Sequence, residues 1–404
     1  MRFAPPELQL SPSAVSSFWQ KGDGNRDDSQ VTCPSQFPPI VILPGFGNDA
    51  VDYTAPKLKP TEGDGEAERM PSPDNTPVEL NRKGDRDLEE LTSDSFVAVL
   101  KKRGFDVTVV DVKRLEWLKV AFEILGPRLY TKSVLPFGPG FGWYLQRLRS
   151  AIRSALEVRR ERLRQEGREA VTGVDDRVIL VGHSAGGWLA RAALGDGEMW
   201  SDSGKVSERN MSLFDRFLLG LARLLGLLDT EKTGEGSGAA APSCRSRNPD
   251  VVAGLVTLGT PQSPPSLGDV SDMTFGALSW TDQNFPGSFL KGKTGIWYLT
   301  VAGKAVQGES EAPKGSASRF AYGSYRVVLG EGEGVWGDGV VPVEKAHLQG
   351  ATQLTLEGVF HSINAPLRWY GSDAFVDCWL KEAVRLFEEQ RVEAARDEKS
   401  KCSV

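Results

Sequence analysis

A doubly wound α/β domain built on a mostly parallel sheet is what this sequence predicts, and three observations carry the prediction. Short apolar runs recur along the chain with no polar alternation, as strands buried on both faces require. Amphipathic helical patterns separate them, which is the rhythm of strand and crossover helix. The chain has 404 residues, 40% of them hydrophobic, enough to bury one large core that carries insertions.

The strand candidates are 40–43 (IVIL), 105–110, 178–181, 251–258, 296–301 and 353–356, several of them β-branched throughout. The helical patterns are 95–103, 144–165, 187–194, 213–228 and 374–388. One domain over residues 37–390 accommodates all of them, with an insertion near 56–90 and a lid or loop near 205–250. Within these, 56–86 is dense in Pro, Gly and charge, and 230–249 reads TEKTGEGSGAAAPSCRSRNP, compositions that favour surface loops. Residues 1–36 read as a flexible lead and 391–404 as a polar tail. No internal repeat is visible.

Composition removes several function classes. A net charge of −6 leaves no electrostatic footprint for nucleic acid. The four cysteines, Cys33, Cys244, Cys378 and Cys402, show no C-x-x-C spacing, so neither a thiolate metal site nor a disulfide framework is expected, and no cofactor is. No apolar run is long enough to span a membrane, and the first thirty residues lack a secretory core. The expected protein is neither integral nor secreted. Its start contains Ser and Pro, but Asp23, Asp27 and Asp28 follow quickly, which leaves a shortened transit segment and a plain lead both open. Oligomeric state is not legible.

Chemistry concentrates at 178–194, VILVGHSAGGWLARAAL: a buried strand, then Gly-His-Ser-Ala-Gly, then a helix. In such an elbow the serine occupies a strained turn whose flanks must be small, a demand met by Gly182 and Gly186. Ser184 would stand clear of the sheet, and the N–H of Ala185 at the new helix start would face developing negative charge. The plainer alternative is the glycine-rich turn of a nucleotide-binding fold, but no G-x-G-x-x-G accompanies it. A second oxyanion donor is expected in PGFGND, residues 44–49, where strand 40–43 ends; the N–H of Phe46 is the first choice and that of Gly47 the second, against an ordinary turn after an edge strand. Serine needs a base, and the chain has three histidines. His361, in GVFHSINAP, lies just beyond strand 353–356, where a loop-borne base belongs. His347, in VEKAHLQG, precedes that strand and suits a surface or capping role, while His183 should pack or hydrogen-bond behind the elbow. The acid follows the serine and precedes the base in this kind of fold. Asp338, between two glycines in GDGVVP, fits; Asp269, Asp272 and Asp282 look like lid or loop residues.

With these motifs in view the chain resembles an α/β-hydrolase of the serine lipase and esterase type, and more narrowly the plant, algal and cyanobacterial branch related to GPI inositol-deacylase-like lipases. The matching pieces are VILPGFGNDAVDY, VGHSAGGWLAR, LVTLGTP, YLTVAG, VWGDGVVPVEKAHLQGA, LEGVFHS and RWYGS, spread over residues 40 to 385. The resemblance implies an α/β-hydrolase fold with helical cap or lid insertions, Ser184 as nucleophile, Asp338 as acid and His361 as base. It also implies a plastid setting, with the cytoplasm as the alternative. Related sequences usually carry His after G-T-P, where this chain has Gln262.

An acyl-ester or lipid-like substrate is suggested by two apolar stretches. Residues 213–228 place Phe214, Phe217 and Leu221 on one helix face, which serves either as a lid or as core packing. Residues 115–144 add Trp117, Phe141 and Trp143 among Gly and Pro, as pocket lining or as core. Arginines 147, 149, 153, 159, 160, 162, 164 and 168 mark one basic helix, a solvated outer face or a contact with anionic lipid. Acyl transfer or thioester hydrolysis would use the same three residues, and a catalytically silent lipid-binding module is the reading from another class.

Overall fold

Seven strands lie side by side, every neighbouring pair parallel. They are β1 (Leu8–Gln9), β2 (Ile40–Leu43), β3 (Val107–Val109), β4 (Val178–His183), β5 (Val252–Leu258), β6 (Trp297–Lys304) and β7 (Thr352–Glu357), in the order β1-β7-β6-β5-β4-β2-β3. The computed structural model describes residues 8–9, 37–58, 92–120, 134–167, 173, 176–196, 249–265 and 272–401. The helix expected at 213–228, with Phe214, Phe217 and Leu221, falls outside them, as do 59–90 and 205–248 of the expected insertions.

Every residue of β2, β4 and β5 is buried, which is why the sequence shows runs and not alternation. Because side chains alternate across the pleat, each strand feeds two cores. Val41, Leu43 and Leu180 face one layer, packed with Leu145, Leu148, Trp188 and Leu189. Ile40, Ile42, Ile179 and Val181 face the other, against Phe96, Leu100, Trp379 and Phe387. Each such aliphatic side chain contributes about 1.5–3 kcal/mol on burial.

The covering helices follow from local signals. In α1 (Phe96–Lys102) the Ser95 side chain accepts from the N–H of Ala98 at 3.1 Å, a capping bond that replaces a missing intrahelical acceptor. Helix α2 (Gly142–Gln165) buries Leu145, Leu148, Ile152, Leu156 and Leu163 along one stripe. Four of its arginines form ion pairs, Arg147 with Glu116, Arg160 with Asp176, Arg162 with Asp106 and Arg164 with Glu161, while buried Arg159 donates to the carbonyl of Phe37. Helix α3 (Ala185–Gly195) follows β4 directly. Two helices that periodicity did not announce, α4 (Ala277–Asn284) and α5 (Ala317–Val328), stand between β5 and β7. The last element among the described residues is α6 (Asp373–Lys401), which begins near the expected 374 and runs on into the stretch read as a tail.

Two connections position the site. After β2 the chain moves to β3 on one side, then returns to place β4 on the other, with Leu43 paired to Gly182. Neighbouring strands whose connections diverge leave a crevice at their carboxyl ends. Just past β2, an antiparallel pair joins Lys57 to Ser93 and Leu58 to Thr92. A parallel sheet in this order, with a strand-turn-helix elbow at its centre, is an α/β-hydrolase fold. Among the described residues no helix is long and apolar enough to cross a membrane.

Candidate active site

At the carboxyl end of β4 the backbone turns sharply into α3, and Ser184 takes φ 52°, ψ −125°. A non-glycine residue there is strained and is held only by its surroundings. The N–H of Ser184 donates to Leu258 at 2.9 Å, and its carbonyl accepts from the Thr260 hydroxyl at 2.8 Å and from the N–H of Gly187 at 3.1 Å. The small flanks are needed for contact: a Cβ on Gly186 would lie 2.3 Å from the Leu43 carbonyl oxygen.

The structure brings Ser184, His361 and Asp338 together. Ser184 Oγ stands 3.0 Å from His361 Nε2, and His361 Nδ1 stands 2.7 Å from Asp338 Oδ2. Asp338 is 1% exposed and His361 9%. The carboxylate accepts four bonds: Oδ1 from the N–H groups of Val340 (3.0 Å) and Val341 (2.7 Å), Oδ2 from His361 and from the Tyr370 hydroxyl at 2.7 Å. Burial, together with the Asp338 charge, pushes the Tyr370 hydroxyl well above its ordinary value, so it remains a donor. Asp338 follows the excursion that contains α5. An antiparallel pair of Val306–Gln307 with Trp336–Gly337 returns the chain to the end of β6, and His361 N–H then donates to Asp338 O at 2.9 Å.

The loop after β2 closes on the same point. A Cβ on Gly45 would come within 2.8 Å of Ser184 Cβ. The loop is held from four sides: Tyr144 OH donates to Pro44 O (2.7 Å), Trp117 Nε1 to Asn48 O (3.0 Å), Arg114 Nε to Gly47 O (3.1 Å), and Gly45 N–H to Tyr53 OH (3.0 Å). The N–H groups of Phe46, Gly47 and Ala185 take no acceptor among the described residues. The Phe46 side chain is 59% exposed, its ring 5.0 Å from that of Trp117.

Other expected residues lie as follows. Trp117 is buried beneath the loop it bonds, and Trp143 is half-buried beside it, ring centroids 5.5 Å apart. Phe141 is buried against Trp188 of α3 and packs the interior. His183 is buried behind the elbow, and burial, then the neighbouring His361, holds it down to about 3. His347 stands at the C-cap of one helical turn, one of the two roles expected of it, and its half-buried ring spans two strand hydroxyls, Thr300 (3.1 Å) and Thr355 (3.0 Å), so it is not a free surface residue. Asp272 accepts from Thr274, Gly276 and Ser279 at the start of α4, and Asp282 faces buried Arg191. Gln262 is buried, its Nε2 donating to Thr257. Tyr53 and Tyr370 were missed as site residues, since a lone tyrosine in sequence does not name its partner.

No family model and no curated protein matches the chain. Among solved structures it is similar to a Bacillus licheniformis lipase in propeptide form (15% identity, TM-score 0.35), covering 86% of this chain and 49% of that one; the chain thus spans about half of that protein. It is similar to a metagenomic carboxyl esterase (12%, TM-score 0.35; 91% and 81% covered) and to Staphylococcus hyicus lipase (12%, TM-score 0.39; 92% and 100% covered). The narrower GPI inositol-deacylase-like branch and the plastid setting have no counterpart among these proteins.

Proposed function

We propose that this protein is a serine hydrolase that cleaves carboxylic esters of lipid-like acyl substrates through an acyl-enzyme on Ser184. The single observation that carries the reading is the hydrogen-bonded line from Ser184 Oγ through His361 to Asp338, 3.0 and 2.7 Å, on a strained elbow. With Nδ1–H given to the carboxylate, Nε2 is free to accept the serine proton. Ser184 Oγ attacks the ester carbonyl while His361 takes its proton; the carbonyl electron pair moves to oxygen and is met by the N–H groups of Phe46, or Gly47, and Ala185. Collapse expels the alcohol, protonated by His361. Water then attacks the acyl-enzyme, giving its proton to His361, and the carboxylic acid leaves as Ser184 regains its proton. Asp338 stabilises the imidazolium throughout. An apolar acyl chain is favoured by Phe46, Leu115 and Leu118, which are 59%, 78% and 58% exposed around Trp117.

Labelling with a fluorophosphonate probe tests this, followed by turnover of p-nitrophenyl esters of increasing chain length. Ser184→Ala should abolish labelling and lower kcat/KM by about 10⁴-fold or more, with longer chains preferred in the parent protein. Labelling or turnover that persists in Ser184→Ala refutes the assignment.

A further inference from the structure

Behind the nucleophile, two buried side chains outside the triad join the loop bearing the candidate oxyanion donors to the loop bearing the base. The Tyr53 hydroxyl accepts from the N–H of Gly45 and from Nδ2 of Asn48, both at 3.0 Å, and lies 2.8 Å from His183 Nδ1. A phenol has one proton and two lone pairs. With both lone pairs occupied, its proton goes to His183 Nδ1, so the ring proton of His183 sits on Nε2 and donates to the carbonyl oxygen of His361 at 3.0 Å. The line Gly45–Tyr53–His183–His361 is continuous, and every bond in it has one donor and one acceptor. Tyr53 is 0% and His183 2% exposed. The Trp369 ring lies edge-on to both, 6.2 and 5.7 Å between centroids.

We propose that Tyr53 and His183 are positioning residues that set the distance between the oxyanion donors on residues 44–49 and the imidazole of His361. This rests on the serine-hydrolase reading of Ser184. Neither residue faces the substrate: each acts on backbone, Tyr53 on the amide just before Phe46 and His183 on the base's own carbonyl. Oxyanion donors act only when held at 2.7–3.1 Å from the developing charge, and a misplacement of about 1 Å lowers the rate up to about 100-fold. The line removes that freedom from both loops at once.

The test compares the full-length protein with Tyr53→Phe, His183→Asn and His183→Leu, measuring ester kinetics and inhibition by an aliphatic trifluoromethyl ketone, which adds to the serine as a tetrahedral oxyanion. Tyr53→Phe keeps the ring and deletes the hydroxyl. It should lower kcat about 10- to 100-fold and weaken ketone inhibition by a similar factor, with KM within about twofold. His183→Asn places an acceptor near the Nδ1 position and should be more active than His183→Leu, which restores nothing. All assays are run below the melting temperature of each variant, so that lost stability does not register as lost rate. Unchanged kcat and ketone affinity in Tyr53→Phe, or equal rates for the two His183 variants, overturn the proposal; the His183 pair decides it if Tyr53→Phe does not fold. Turnover by Ser184→Ala, or a parent enzyme insensitive to the ketone, instead removes the serine reading and this inference with it.

Discussion

Acidification probes the surroundings of His183, because its imidazole sits neutral in a space that leaves no room for charge. The groups facing it are Tyr53, His361, Trp369 and Tyr370, with Asp338 beyond. Burial and the neighbouring His361 depress its value to about 3 from an ordinary 6.5. The unfolded chain therefore takes up a proton that the folded chain refuses. With more protons bound in the unfolded state, stability rises with pH across that window. The contribution is present above about pH 6.5 and is lost, at about 1.4 kcal/mol per pH unit, as pH falls toward about 3. Between about pH 7.5 and about pH 5, this one group removes about 2 kcal/mol of folding free energy. Urea melts of the parent and of His183→Gln at both pH values isolate it, since every carboxylate contributes alike to the two proteins. The parent should lose about 2 kcal/mol more than the variant. Equal losses would refute the argument that His183 is buried neutral.

Two more substitutions follow from the site. Tyr370→Phe removes one of four donors from Asp338 and leaves the N–H of Gly303, now bonded to that hydroxyl at 2.7 Å, without an acceptor; thermal melts should show a loss of about 1.5–3 kcal/mol, with kcat reduced and KM steady in steady-state kinetics. Gly186→Ala drives a methyl into the Leu43 carbonyl, 2.3 Å away, and chemical denaturation should report a cost of about 1–3 kcal/mol.

The parts of the molecule that could be read from sequence are those where one strand or helix carries its own pattern. Residues 40–43 form β2 as expected, because a short, largely β-branched apolar run bounded by Pro39 and Pro44 favours a buried strand over a helix. The elbow was legible because glycine, serine and glycine must stand together. Helix α5 was not: its buried positions Ala317, Ala321, Tyr325 and Val328 have helical spacing, but two are alanines, too weakly apolar to register. The site's supporting bonds were hidden for a different reason. Tyr370 reaches Asp338 across 32 residues, and Tyr53 reaches His183 across 130. A hydroxyl that serves a distant partner leaves no periodicity behind. The arginines of α2 taught the converse, since a run that reads as a charged surface spends much of its charge on Glu116, Asp106 and Asp176, carboxylates from other segments.

The antiparallel pairing of Lys57 with Ser93 and Leu58 with Thr92 acts as a stem. Chain enters and leaves residues 59–91 at one place, so the two ends of that interval are held side by side whatever the contour length between them. Closing a longer loop costs only about 0.6 kcal/mol per doubling. Length can therefore change between the two ends of this stem at small cost in closure entropy while Lys57 stays opposite Ser93 and Leu58 opposite Thr92.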